Sequence, residues 1–310
     1  MNVAETHPMT GDRTATPTVA TPPVRQDPRG VAFARSLWAR LTRSGPYLVA
    51  TILLILGYFH YREGAFYSLS ERFYRAWAFP EFRYSDLIWL YLRDGLAQQP
   101  IPYLDYPLEY PPLTGLVTFL LSFLPDLPTY FLVTYLVLAL SALGTIWALR
   151  RLPGANPWLF AAAPALFFYT GHQWDGIAIF VTAISLVAIA CGRERWGVFG
   201  LAVGVSLKLF PVVFVAALLI DRLRQRQWRA VAEIAAVFGL ATIAFNLPVA
   251  LADVEGWSFF FRWNRDRLAD SGVWVLWRGL PTTDATTFSL VAVAVGGLII
   301  TALALRARGP

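Results

Sequence analysis

The stretch YFLVTYLVLALSALGTIWAL, residues 130–149, decides the fold. It holds no Asp, Glu, Lys, Arg or His, and as a helix rising about 1.5 Å per residue it matches the roughly 30 Å of hydrocarbon in a bilayer. Hydrocarbon offers no water to backbone N–H and C=O groups, so the run predicts a helix, which satisfies them internally. Strands of a membrane barrel would alternate polar and apolar residues, and this run does not. Residues 47–61, 198–220 and 288–305 are also nearly free of ionisable side chains. The whole chain agrees, being 56% hydrophobic and only 15% charged, against about 25% charged for a soluble domain. Soluble fold classes are excluded. The expectation is an all-α, polytopic helical membrane protein. It should have about eight membrane helices, a short re-entrant or interfacial helix and a long first outer loop.

Outside the spans the chain is sparse. Residues 1–30 are rich in Pro, Thr and Ala (TATPTVATPPVRQDP) and lack apolar periodicity, so they read as a disordered cytoplasmic tail ahead of one transmembrane domain, 31–310. The first apolar run begins near Pro46, too late for a signal peptide, and no small-residue cleavage site follows it, so it reads as a retained anchor. The net charge of +6 does not point to nucleic acid, because the arginines are scattered between apolar spans in the manner of the positive-inside rule. Of the 26 Lys and Arg residues only Lys208 is Lys, a bias expected of a GC-rich genome. With a single cysteine, Cys191, no intramolecular disulfide is possible.

Arg35, Arg40 and Arg43 precede the first span and place the N-terminus in the cytoplasm. The span 46–62 then delivers a first outer loop, 63–111, to the far side. Residues 113–124 are apolar but short, bounded by Pro112 and Pro125, and runs of that length are often re-entrant. If this piece returns to the outer side, the span 128–149 runs inward. Arg150, Arg151, Arg193, Arg195, the cluster from Arg222 to Arg229, Arg306 and Arg308 then all fall in the cytoplasm. If it crosses, every one of those clusters inverts. The first option predicts spans 157–171, 176–191, 197–209, 211–220, 230–252 and 288–305, with a second outer loop at 253–287. Pro211 marks the turn between two half-length helices, unless 198–220 is one ordinary span.

This topology gathers the embedded polar residues on one side: Asp86, Asp105 and Glu109, then His172 to Asp175, then Lys208, then Arg262, Arg265, Asp266, Arg267 and Asp270. Ionisable groups beside hydrocarbon are costly, so each is a functional candidate. Carboxylates next to cations at headgroup level suit chemistry on a phosphate-bearing lipid. There is no Gly-rich phosphate loop for a nucleotide. His60 and His172 have no partners at metal-ligand spacing, which argues against zinc.

The stretch YSDLIWLYLRDGLAQQPIPYLDYPLEYPPL, residues 84–113, resembles the first outer loop of glycosyltransferase family 87. That family belongs to the GT-C superfamily and includes polyprenyl-phosphate-mannose-dependent mannosyltransferases of actinobacteria. The matching positions are Asp86, Tyr91, Pro102 with Tyr103, and Tyr110 to Leu113. Gly171 to Asp175, Lys208 to Pro211 and Arg267 to Ser271 also look like the family, so the resemblance runs from about 46 to 305. It implies an inverting transfer of a sugar, usually mannose, from a polyprenyl phosphate donor to a glycolipid or glycan acceptor. The site would face outward from a multi-pass protein of the cell membrane, among membrane lipids, with no nucleic acid and no cofactor. A divalent metal is left open.

By resemblance Asp86 is the base that takes the acceptor proton; the plainer alternative is a helix cap. Glu109 and Tyr110 would bind substrate, held by the Pro pair that follows. Asp175 either binds the donor sugar, with Trp174 stacked on the ring, or caps the next helix. Lys208 and Arg267 would pair with phosphate, unless Lys208 only snorkels to the interface. Two other functions fit the embedded charges. One is a lipid or solute transporter or flippase. The other is a catalytically silent polyprenyl-lipid-binding homologue, suggested because family members usually carry further C-terminal spans.

Overall fold

A computed structural model describes residues 28–67, 70–266, 294–299 and 302, with side chains from residue 44 onward except that of Glu71. The chain divides into two units, residues 1–43 and 44–310. The first holds the opening turns of α1 (Pro28–Phe66), and the second holds everything discussed below. Among the described residues up to Asp266 there are twelve α-helices, and no described residue lies in a strand. After α1 come two short helices, α2 (Glu71–Ala78) and α3 (Asp86–Arg93), and then α4 (Pro112–Leu121) and α5 (Leu127–Leu149). The next helices are α6 (Pro157–Ala161), α7 (Ala165–Tyr169), α8 (Asp175–Ala190) and α9 (Glu194–Leu207). The last are α10 (Val212–Arg224), α11 (Trp228–Ala252) and α12 (Val254–Asp266).

Among the described residues three helices are long and apolar enough to cross a bilayer: Ser44–Phe66 within α1, α5 and α11, of 23, 23 and 25 residues. Large apolar side chains such as Leu136, Leu140, Leu240 and Ile243 are exposed on them, as contact with lipid requires. The chain is a polytopic helical membrane protein. α5 starts cleanly because Asp126 Oδ1 accepts from the Thr129 N–H at 2.8 Å, satisfying a donor that no helical carbonyl can reach. It is bound to α1 by Tyr135, whose hydroxyl donates to the Leu54 carbonyl at 2.6 Å. The approach is close enough that a Cβ on Gly57 would collide with the Tyr135 hydroxyl and the Phe167 carbonyl.

The expected span 157–171 is instead broken into α6 and α7. Pro164 has no N–H to donate and pushes the residue before it out of helical conformation. The broken pair still follows α1, with Tyr61 donating to the Phe168 carbonyl at 2.6 Å. Residues 197–220 form two half-length helices, as one of the two readings expects. Lys208 is extended (φ −157°, ψ 138°), which ends α9, and α10 folds back beside it. Val215 packs with Val198 and Leu201, and Arg222 near the end of α10 meets Glu194 at the start of α9 at 3.0 Å. A single span is thereby ruled out.

These pairings sort the ends of the bundle. Arg150 and Arg151 end α5, Arg193 and Arg195 lie at the turn from α8 to α9, and Arg222 to Arg229 lie at the turn from α10 to α11. Ion pairs Arg195–Glu233 and Arg222–Glu194 join those turns. Neither end of α4 reaches this arginine-bearing end. Its first turn is held by Thr114 Oγ1 donating to the Leu207 carbonyl at 2.6 Å, and its last precedes the opposite end of α5. The helices α8, α9 and α10, of 16, 14 and 13 residues, span only about 20–24 Å each. Gly176, at the start of α8, packs against Leu138 in the middle of α5. The first end of α5 thus rises about 16 Å above the start of α8, and a recess forms over the short helices.

Two other expectations meet the structure differently. The second outer loop, expected from 253, opens as the helix α12. Asp253 Oδ1 accepts from the N–H groups of Glu255 and Gly256 at 2.8 and 3.1 Å, which nucleates the turn. The expected tail lies almost wholly outside the described residues; of the last span, 294–299 are helical.

Candidate active site

The recess is reached by the segment 84–86, which is bound edge-on to the hinge before α8. The His172 ring donates from Nδ1 to the Tyr84 carbonyl at 2.8 Å, Ser85 Oγ donates to the Gly171 carbonyl, and the Asp86 N–H donates to the His172 carbonyl at 2.9 Å. Ser85 is fully buried, and its own N–H is taken by the Tyr74 hydroxyl at 2.8 Å. It therefore sits at the cap position of α3 without capping it. Neither does Asp86 occupy the cap: it is the first residue of α3, and its Oδ2 accepts a hydrogen bond from the Tyr110 hydroxyl at 2.9 Å.

Tyr110 is held from behind. Its carbonyl accepts from the Tyr103 hydroxyl at 3.0 Å, and Pro111 and Pro112 follow it with φ angles fixed by their rings. Burial pushes its phenol well above the ordinary range, and the neighbouring Asp86 carboxylate adds to this. The phenol stays a neutral donor. Tyr84 is likewise raised, first by burial and then by the nearby Asp86 carboxylate, and its ring stacks on Phe79 at 4.5 Å. Asp86 is thus a carboxylate hydrogen-bonded by one phenol, Tyr110.

A cavity of about 310 Å³ opens beside this group, with Asp86, Glu109, Tyr110, Gln173, Asp175 and Lys208 in its wall. Lys208 Nζ pairs with Asp175 Oδ1 at 2.7 Å, lies 3.5 Å from Gln173 Oε1, and sits 5.0 Å from the centre of the Tyr110 ring. Asp175, the first residue of α8, makes no cap; its charge is spent on Lys208. Glu109 is held by Arg93 Nη1 at 2.8 Å. Burial raises its pKa and the Arg93 charge opposes the rise. Arg93 also chelates Asp94 through Nε and Nη2 and lies 4.5 Å over the Trp89 ring. This network is mostly buried, so Arg93→Met should lower stability by about 3 kcal/mol, the cost of leaving buried carboxylates without their cation. The check is the thermal midpoint in detergent, with Glu109→Gln added to Arg93→Met expected to recover part of the loss.

Five of the residues singled out from the sequence thus meet at one cavity: Asp86, Glu109, Tyr110, Asp175 and Lys208. Two do not. Trp174 is 3% exposed and turned into the core, edge-on to Tyr130 at 6.4 Å, so the ring face expected to stack on a sugar is covered. Arg267 lies outside the described residues, as does Asp270. Arg262 is tied to Ser258 Oγ and the Glu255 carbonyl, and Arg265 to Asp266, all within α12. Sequence reasoning missed Phe260, Trp263 and Asn264 of α12, which close the cavity. The signal was present in Asp253 followed by the amphipathic run VEGWSFFFRWNRD. It also missed Tyr84.

A second cavity of about 350 Å³ shares Pro111, Leu209 and Phe260 with the first. Its wall is mostly apolar, including Val205, Ile243 and Phe261. Ile243 and Phe261 are also exposed on the outside of the bundle, so this chamber borders the lipid-facing surface.

Residues 108–310, about two-thirds of the chain, match the family model described as glycosyltransferase family 87. The matched stretch contains Glu109, Tyr110, Trp174, Asp175, Lys208 and Arg267, and Asp86 precedes it. No curated protein and no solved structure matches the chain.

Proposed function

The chain belongs to glycosyltransferase family 87, and on that premise we propose that it is a GT-C-type, inverting enzyme. It moves a sugar, mannose in this reading, from a polyprenyl phosphate to a glycolipid or glycan acceptor at the outer face of the cell membrane. The observation that carries the reading is one cavity with two chemistries in its wall: a carboxylate held by a phenol, Asp86 with Tyr110, and a cation, Lys208. In the step, the acceptor oxygen attacks the anomeric carbon while the bond from that carbon to the phosphate oxygen breaks. The lipid phosphate leaves with the bonding electrons toward Lys208, and the acceptor proton passes to Asp86. The adjoining apolar chamber supports a donor with a hydrocarbon chain. The test is incubation of the purified chain with labelled polyprenyl-phosphate mannose and lipid acceptors, with product formation required.

The outward-facing site is supported by the arginine-bearing end of the bundle, which lies opposite the recess and which the positive-inside rule assigns to the cytoplasm. In a Cys191→Ala background, Glu81→Cys should react with an impermeant thiol reagent added outside intact cells, and Gln225→Cys should not. The reverse pattern would turn the site to the cytoplasm.

A further inference from the structure

We propose that Asp175 is a displaceable counter-ion: it holds Lys208 while the site is empty, and it reclaims Lys208 to expel the spent lipid phosphate once the sugar has left. This rests on the reading of the cavity as a site for a glycosyl phosphate. Among the described residues three carboxylates line the cavity, and two have other partners, Glu109 with Arg93 and Asp86 with Tyr110. Asp175 is the one placed on Lys208. Both partners are 32% exposed, so each can be reached by a ligand. Their backbones belong to the start of α8 and the end of α9, two helices packed tightly together, which leaves the side chains as the parts that move.

A bare phosphate can take the ammonium only by leaving the Asp175 carboxylate unpaired in a recess where charges interact more strongly than in water. A sugar phosphate does better, because its hydroxyls donate to Asp175 while its phosphate accepts from Lys208. The pair therefore reads both halves of one ligand. After transfer the sugar has gone with the acceptor. Asp175 and the remaining phosphate then compete for one ammonium and repel each other, which favours release of the carrier.

The test is binding of two probes, farnesyl phosphate and its mannosyl ester, to the full chain in detergent. The wild type should prefer the mannosyl ester. Asp175→Asn should tighten farnesyl phosphate by about tenfold, within the range of one charge-assisted hydrogen bond, and leave the ester unchanged or weaker. In a Lys208→Met background the same substitution should change farnesyl phosphate binding little, since there is no ammonium to contest. If the amide variant does not fold, Asp175→Ser carries the same expectation. Unchanged or weaker farnesyl phosphate binding in an Asp175 variant that still binds the ester overturns the counter-ion. A wild type that binds neither probe overturns the glycosyl phosphate reading itself.

Discussion

Asp86→Asn is expected to leave a folded protein with a near-native thermal midpoint and sugar transfer reduced by roughly a hundredfold or more. The amide is nearly isosteric, and its oxygen can still accept from the Tyr110 hydroxyl, so the junction of 84–86 with the hinge should persist. What disappears is the capacity to take a proton from the acceptor hydroxyl. Loss of a positioned general base costs on the order of 10²–10⁴ in rate. The alternative role, a helix cap, would cost about 1 kcal/mol of stability and no specific loss of rate, and the structure already places Asp86 past the cap position. Transfer rate and thermal midpoint therefore separate the roles. Near-native transfer in this variant would move the base elsewhere, with Glu109→Gln and Asp175→Asn examined next. If all three amide variants turn over normally, the catalytic reading is lost and the membrane architecture stands alone.

The second large effect concerns the cation. Lys208→Met retains much of the apolar stem and removes the charge that faces the departing phosphate. Truncating one partner of a desolvated charge pair commonly costs about 2–5 kcal/mol. Transfer efficiency with the lipid donor should therefore fall by about two orders of magnitude. Asp175 is left without its partner, but it is one-third exposed to the cavity, so the thermal midpoint should fall only slightly. Adding Asp175→Asn should restore that midpoint without restoring transfer, because the phosphate still lacks the Lys208 ammonium. Lys208→Arg, which keeps the charge, should retain part of the activity. Donor kinetics unchanged in Lys208→Met would reduce Lys208 to a residue that snorkels to the interface.

The helical membrane class was legible because it depends on long apolar runs, and those need no tertiary information. The break at Lys208 to Pro211 was legible for a related reason: a lone cation and a proline in an apolar run both end a buried helix. The companion break at Pro164 carried the same signal and was read through, since the flanking residues are equally apolar. The polar residues of the recess could be picked from the sequence as costly groups near hydrocarbon. Their partners could not. The Asp175–Lys208 pair depends on α8 and α9 running antiparallel with their ends level, and the Glu109–Arg93 pair on how residues 94–109 fold back toward α3. Trp174 shows the limit most clearly. An aromatic in a polar hinge reads equally well as a ligand platform or as core, and only the packing of α5 against the hinge turns it inward.

The seam between α8 and α9 acts as a ruler. Gly197, Gly200 and Gly204 bring α9 so close that a Cβ on Gly197 or Gly200 would strike Ser185, and one on Gly204 would press on Pro211. Such a seam admits one register, because sliding α9 by a turn sets side chains where glycines now lie. One turn is about 5.4 Å, twice the 2.7 Å that separates Lys208 Nζ from Asp175 Oδ1. An insertion or deletion of three or four residues in α8 or α9 would keep each helix apolar and membrane-competent, yet carry the ammonium out of reach of its carboxylate. For these two helices residue number is itself a functional quantity, whereas the outer faces of α5 and α11 are free to vary among apolar side chains.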